Sequence, residues 1–198
     1  VEGRNFGIRK NTLQYDDVMN RMRELIYTQR DQVLDGLDLS ETIGKMIDQN
    51  ISDTVAFYFN GKNKDDWNIE GLREKYKEWN IANDDDFRDV EDLTIAGATE
   101  LLQARADKIV KAKHEQLGDD MFGEFQRMIL LRNVDTYWMD HIDAMDDLKK
   151  GIHLRSYAQR DPVVAYRMES GEMFEEMTDS IREDTAKMML TLMPRHRA

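Results

Sequence analysis

The 198-residue sequence contains no cysteine and only two prolines, Pro162 and Pro194. The lack of cysteine excludes disulfides and thiolate chemistry, and it fits a reducing compartment. Proline interrupts helices, and none occurs before position 162. Charged residues make up 34% of the chain and hydrophobic residues 40%, a balance that favours amphipathic helices with wide solvated faces. We therefore predict an all-α protein.

Long apolar segments are also missing. No run approaches the roughly 18 residues that a membrane-spanning helix needs. The first ten residues, VEGRNFGIRK, contain no apolar core of a secretory signal. Because the helical pattern is already under way at Val1, we expect the chain to be a piece of a longer protein.

Acidic residues outnumber basic ones, 40 to 28. The net charge of −12 argues against nucleic acid as a partner, because phosphate binding needs a cationic surface. The window from Lys149 to Arg160 nevertheless holds four cations and no acid, whereas residues 84–92 sum to −5. We expect any attraction to anionic surfaces to come from that window.

The first segment has the pattern of one long helix from about Asn5 to Asp35. Its apolar residues recur at helical spacing, in series such as Ile8, Tyr15 and Met22. Such a helix spans roughly 45 Å. Asp35-Gly36 is a plausible stop, so we expect a long backbone against which other parts pack.

The middle of the chain reads as an inserted small helical subdomain, residues 39–118. One helix covers Ile43 to Tyr58, a short one covers Ile69 to Trp79, and a third ends near Leu117. The acidic run NDDDFRDVED reads as a loop or a helix start. The flanking segments, 1–38 and 119–198, would then form one scaffold.

The last segment predicts two helical arms joined by a short basic loop. The first arm follows the stripe Leu131, Val134, Trp138, Ile142, Met145 and Leu148, and the second follows Phe174, Met177, Ile181, Thr185, Met188 and Leu192. Asp161-Pro162 would start the second arm. Since a short loop favours antiparallel neighbours, we expect the arms to pair with each other and to lie along the first helix.

Motifs for catalysis, cofactors or metals are not found. Gly61-Lys62-Asn63 lacks the rest of a phosphate-binding loop, and His114-Glu115 has no second histidine four residues after the first. His141 could form an acid/base cluster with Asp140, Asp143 and Asp146, as in an acidic enzyme, but no nucleophile accompanies it. A helix face rich in charge is the commoner meaning, so we predict no catalytic residue.

Tyr157 in the basic loop is the sharpest candidate contact residue. An exposed tyrosine can touch apolar side chains and peptide groups alike, which suits contact with polypeptides of varied sequence. The alternative is a tyrosine folded back to staple its own loop. Most of the 13 methionines are expected to fill the core, with Met168 and Met173 as the exceptions.

Two long motifs carry a family resemblance. GRNFGIRKNTLQYDDVMNRMRELIYTQR (3–30) and LLRNVDTYWMDHIDAMDDLKKGIHLRSYAQRDP (130–162) resemble the SecA family, the motor ATPases of bacterial preprotein translocation. The resemblance implies that 1–38 and 119–198 form a helical scaffold domain with a two-helix finger, and that 39–118 form a helical wing domain. Ser156 replaces a frequent glycine, which bears on the conformation of the finger loop.

The resemblance also implies partners and a place of action. The finger tip would contact preprotein and the SecYEG channel and regulate the ATPase, through His153, Leu154, Arg155, Tyr157, Gln159 and Arg160. Other SecA domains and anionic lipid are further expected partners. ATP and Mg²⁺ would bind in motor domains outside this chain, so we expect no ATPase activity in it. The location would be the cytoplasmic face of the inner membrane, with peripheral association.

A rival hypothesis from a different class is a stand-alone helical adaptor. It would bind partner helices through a methionine-rich groove, since methionine is an adaptable lining for varied apolar ligands.

Overall fold

The computed structural model describes residues 2–155 and 161–195, without the side chains of Ile8 and Arg155. Within these ranges the chain forms six α-helices and one short 3₁₀ helix, and no strand. The helices are α1 (Glu2–Leu34), α2 (Ser40–Tyr58), α3 (Ile69–Glu78), α4 (Ile95–Leu117), α5 (Asp119–Arg155) and α6 (Pro162–Thr191), and the 3₁₀ helix is Lys64–Asp66. The all-α prediction is confirmed.

The chain packs as two compact units. Unit 1 comprises Val1–Leu37 and Leu131–Ile181, and unit 2 comprises Asp38–Leu130 and Arg182–Ala198. Residues 119–130 of α5 therefore belong to unit 2 and residues 131–155 to unit 1. In α6, residues 162–181 belong to unit 1 and residues 182–191 to unit 2. The domain bounds 39–118 and 119–198 derived from the sequence stay a prediction.

In unit 1, α1 lies antiparallel to α5. Three contacts fix the direction, because positions that rise along α1 meet positions that fall along α5. They are Met22 with His141, Tyr27 with Trp138, and Arg30 with Asp135. The last is an ion pair in which Arg30 Nε lies 2.9 Å from Asp135 Oδ1. The long first helix is thus confirmed as a backbone for the first arm.

Helix α6 runs back along α5 in the same unit. The rings of His141 and Phe174 lie 5.8 Å apart, while only a short connection joins Arg155 to Pro162. If α6 continued in the direction of α5, His141 and Phe174 would lie far apart. Their contact therefore means that the chain reverses direction between the two helices. Tyr166 of α6 also contacts Tyr15 of α1. Both arms therefore lie along the first helix, as the sequence predicts.

In unit 2, the core lies where α2 packs on α3 and α4. The fully buried side chains include Ile51, Val55, Leu72, Tyr76 and Leu102. The Tyr76 hydroxyl donates to Asn50 Oδ1 at 2.9 Å, which satisfies a polar group that would otherwise be costly to bury. This hydrogen bond orients α3 on α2.

The acidic run of unit 2 is a loop with one structural acid. Asp86 is buried, unlike its neighbour Asp85. Arg105 on α4 donates to both Asp86 carboxylate oxygens, at 2.5 and 2.8 Å. The hydrogen bonds from Arg105 hold the pKa of Asp86 below its usual range, with a smaller contribution from the Asn83 backbone N–H. The run therefore contains an anchor as well as a solvated surface.

Glycines end two long helices as predicted. Gly36 after α1 has φ 83°, and Gly118 between α4 and α5 has φ 79°. A side chain is strained in this left-handed region, so glycine is the natural residue where a helix stops.

The methionine prediction holds for part of the set, since eight of the 13 are buried or half-buried. Four of the 13 are buried (Met22, Met145, Met177 and Met189), and five are exposed (Met121, Met128, Met139, Met168 and Met193). Met121, Met128, Met139 and Met168 lie on the solvent sides of α5 and α6, because a helix packed along one stripe leaves the rest of its surface uncovered, and Met193 follows the end of α6. Of the two expected exceptions, Met168 is exposed and Met173 is half-buried.

Candidate functional site

The candidate site is the end of unit 1 where α5 stops and α6 begins. Asp161 caps α6, since its Oδ1 accepts from the Val163 backbone N–H at 3.0 Å. Pro162 occupies the first helical position, where a missing N–H costs nothing. The predicted start of the second arm is confirmed. Ile152 and Val163 are both buried, which anchors the base of the hairpin.

Two tyrosines brace this base. Tyr15 of α1 and Tyr166 of α6 meet edge to face, with ring centroids 4.7 Å apart. Burial raises the pKa of Tyr166 to about 12, and burial followed by the charge of Asp161 raises the pKa of Tyr15. Both hydroxyls therefore stay neutral at physiological pH. The rings serve packing rather than proton transfer.

The basic window is less positive locally than its sequence indicates. Lys150 Nζ lies 3.0 Å from Asp146 Oδ2, and this hydrogen bond raises the pKa of Lys150. Lys149 Nζ lies 3.9 Å from Asp16 Oδ1 and 5.8 Å from the centre of the Tyr15 ring. Two of the four cations in the window thus lie near carboxylates, Lys150 near Asp146 on the same helix and Lys149 near Asp16 on α1.

A groove of about 820 Å³ lies beside the hairpin base in unit 1. Its lining includes Arg4, Thr12, Tyr15, Lys149 and Leu154. The lining mixes apolar, aromatic and cationic groups and includes the acid Asp146.

The structure places part of the predicted tip. His153 is exposed on the last turn of α5, and Leu154 is 75% exposed. Arg155 is the last residue of α5 and not a loop residue as predicted, because helical hydrogen bonding persists through it. Tyr157, Gln159 and Arg160 lie outside the described residues.

His141 does not belong to a charged face. It is buried on α5 against Trp138, Phe174 and Met22, and its Nε2 lies 3.3 Å from Met22 Sδ. Asp140, Asp143 and Asp146 are exposed. The charged-face interpretation therefore holds for the three aspartates but not for His141, because neighbouring helix positions point in different directions. The acid/base cluster of the enzyme alternative is not assembled.

We expect unit 1 to lose stability as the pH falls from about 6.5, the usual histidine pKa. Burial lowers the pKa of His141 in the folded state. Below 6.5 the unfolded chain therefore binds the proton more readily, and the loss continues until the folded pKa is passed. Urea unfolding between pH 8 and pH 5 measures this. His141→Gln should flatten the dependence, and an unchanged slope in that variant would contradict the assignment.

The sequence analysis missed Tyr166 and the Asp16–Lys149 pairing. Tyr166 carried a weak signal, since it lies one turn after Pro162 on the same face as Val163. Asp16 carried none, because the partner of a surface acid depends on which helices meet.

Metal sites and membrane-spanning helices are two further kinds of feature that bear on function. They contain no group of three or more His, Asp or Glu side chains placed to hold a metal ion. None of the helices, so far as they are described, is long and apolar enough to span a membrane.

The described residues define an all-α chain of two compact helical units. A family model described as the SecA wing and scaffold domain matches residues 1–193. The chain belongs to the SecA family, of which it represents this wing and scaffold domain.

Named relatives agree with this assignment. The chain is 44% identical to the protein translocase subunit SecA of Finegoldia magna, over 98% of the chain and 21% of the relative. It is 45% identical to protein translocase subunit SecA 1 of Clostridioides difficile, over 97% and 21%. It is 42% identical to protein translocase subunit SecA 1 of Alkaliphilus metalliredigens, over 98% of the chain and 22% of the relative. The chain thus spans about a fifth of the length of these relatives.

Proposed function

We propose that this chain is the part of a SecA translocation motor that contacts the moving polypeptide and the channel. Its α5–α6 hairpin would act as the two-helix finger, with the tip at the SecYEG channel and on the preprotein. The observation that carries the proposal is the exposed end of α5, where Leu154 projects beside the basic loop on a braced base. The residues proposed for contact are His153, Leu154, Arg155, Tyr157, Gln159 and Arg160.

The long helices support a mechanical and regulatory role. Helix α1 has 33 residues and contacts both α5 and α6 in unit 1. A displacement of α1 would therefore move the hairpin base directly. In the whole motor, ATP and Mg²⁺ would be held by other SecA domains, and α1 would relay their conformational changes and return a regulatory signal to the ATPase.

The same proposal gives the location and the lipid contact. The motor would work peripherally on the cytoplasmic face of the inner membrane. Because Lys149 and Lys150 face carboxylates, attraction to anionic headgroups would depend mainly on Arg155 and Arg160.

Photo-crosslinking in the full-length motor tests the proposal. A crosslinkable residue at position 154 or 157 should form adducts with both a translocating preprotein and the channel. Met139 provides the matched control, since it is 66% exposed on the same helix and lies about 22 Å from position 154 along the axis. Adducts at 139 equal to those at 154 and 157, or none at the two tip positions, would contradict the proposal.

A further inference from the structure

Within the part of the chain that the structure describes, the ammonium group of Lys113 in unit 2 is held by backbone carbonyls and not by a carboxylate. Its Nζ donates to the backbone carbonyls of Met189 and Leu192, each at 2.6 Å. It also lies 5.9 Å from the centre of the Phe125 ring. These carbonyls belong to the last turn of α6 and the residue after it, where the helix leaves acceptors without N–H partners. Lys113 on α4 therefore ties down the end of α6.

Lys64 also donates to two backbone carbonyls, those of Val90 and Glu91, whereas several other lysines of the described chain pair with carboxylates. Lys45, Lys77, Lys111 and Lys150 each lie within 3.2 Å of a carboxylate oxygen, and that contact raises the pKa of each. Among the described residues, no carboxylate forms an ion pair with Lys113. Two carbonyls require only two N–H donors, and a neutral amine supplies both. The site therefore accommodates an uncharged lysine with its hydrogen bonds intact.

We propose that Lys113 is a site of covalent modification by acyl donors, namely acyl phosphates or acyl thioesters, and that acylation loosens the end of α6. This inference does not depend on the proposed function of the hairpin. The neutral amine nitrogen attacks the acyl carbonyl carbon and a C–N bond forms. The bond to the phosphate oxygen or thioester sulfur breaks, the leaving group departs with its electron pair, and the amine proton passes to solvent.

Acylation of Lys113 would also weaken its hydrogen bonding to the end of α6. A secondary amide retains one N–H, so it can serve only one of the two carbonyls. It also adds a carbonyl oxygen, which cannot pair with another acceptor. One acceptor at the end of α6 would lose its partner, and the last turn would fray.

Burial supports the reactivity, because it lowers the pKa of Lys113 to about 8. At pH 7.5 about a quarter of such a lysine is neutral, against about 0.1% of an ordinary one. Lower basicity weakens a nucleophile and partial burial slows access, so we expect a net advantage of about tenfold.

Acetylation kinetics test the proposal on the intact chain. The chain is treated with acetyl phosphate at pH 7.5 to less than one acetyl group per molecule, and each lysine is quantified by peptide mass spectrometry. Lys111, exposed on the same helix and paired with Asp107 at 2.8 Å, is the internal control. Lys113 should react about tenfold faster than Lys111, and the ratio should fall to about one in concentrated urea. A ratio of one or less in the folded chain, or an unchanged ratio in urea, would overturn it.

Hydrogen exchange tests the effect on α6. Lys113→Gln mimics the acylated side chain, and Lys113→Arg keeps a charged donor group. Amides near the end of α6, in residues 189–193, should exchange about fivefold or more faster in the glutamine variant than in the arginine variant. Equal exchange rates in the two variants would refute the loosening of α6. The acetylation experiment uses the unmutated chain, so its result does not depend on whether either variant folds.

Discussion

Replacing Asp86 with asparagine is expected to lower the free energy of unfolding of unit 2 by about 3 kcal/mol. The carboxylate is buried, and two Arg105 nitrogens and the Asn83 backbone N–H donate to it. An amide group presents only one acceptor oxygen, so Arg105 would keep its charge without a matching anion. Breaking such a pair by changing one partner is costly for this reason.

Asp85→Asn provides the matched control. Asp85 lies next to Asp86 in the same loop, but its side chain is 88% exposed and it pairs only with Arg88, at 3.4 Å. Urea unfolding followed by circular dichroism should show a clear loss for Asp86→Asn and almost none for Asp85→Asn. Similar losses in both variants would show that loop charge, rather than the Arg105 pair, sets the stability.

The Asp86–Arg105 pair also makes the stability of unit 2 depend on pH in the acid range. Because the pKa of Asp86 is lowered in the folded state, its stabilising contribution is complete above the unfolded pKa, about 3.9. The contribution is lost as the pH falls through that value to the folded pKa. Asp86→Asn should remove this part of the acid dependence.

Replacing Tyr166 with alanine should cost unit 1 about 3–4 kcal/mol. The ring is buried at the base of the hairpin and packs edge to face against Tyr15. Truncation would remove that aromatic contact and leave a cavity between α1 and α6 beside the candidate site. The hairpin base would then lose the support that fixes the direction of α5 and α6.

Met168→Ala, two residues further along α6, is the control for Tyr166→Ala. Its side chain is 64% exposed, so its removal should change stability by less than about 0.5 kcal/mol. The stability of Tyr166→Phe should be close to that of the unmutated chain, because the ring rather than the neutral hydroxyl provides the packing. Chemical denaturation of the three variants measures the differences, and a Tyr166→Ala value close to that of Met168→Ala would contradict the bracing role.

The helices were predictable because their signals are local. Apolar spacing located the long first helix, glycines marked its end and the α4–α5 junction, and Asp161-Pro162 marked the start of α6. Each of these signals lies within one or two turns of the element it specifies.

The partners of individual side chains were not predictable from the sequence. His141 lies one position from an acid in the chain, yet it meets Met22 of α1 and Phe174 of α6. In the sequence, Asp86 is one of several acids in a run that reads as solvated. In the structure, it pairs with Arg105 of α4. Such pairings depend on which helices meet and in which register, and a periodic pattern specifies neither.

The capped start of α6 has a consequence for variation in the tip. Asp161 and Pro162 set where the helix begins, independently of the five residues before them. Substitutions at positions 156–160 should therefore leave the register of α6 unchanged. A lineage, or a protein engineer, could therefore vary that pentapeptide without shifting the residues of α6 along the helix.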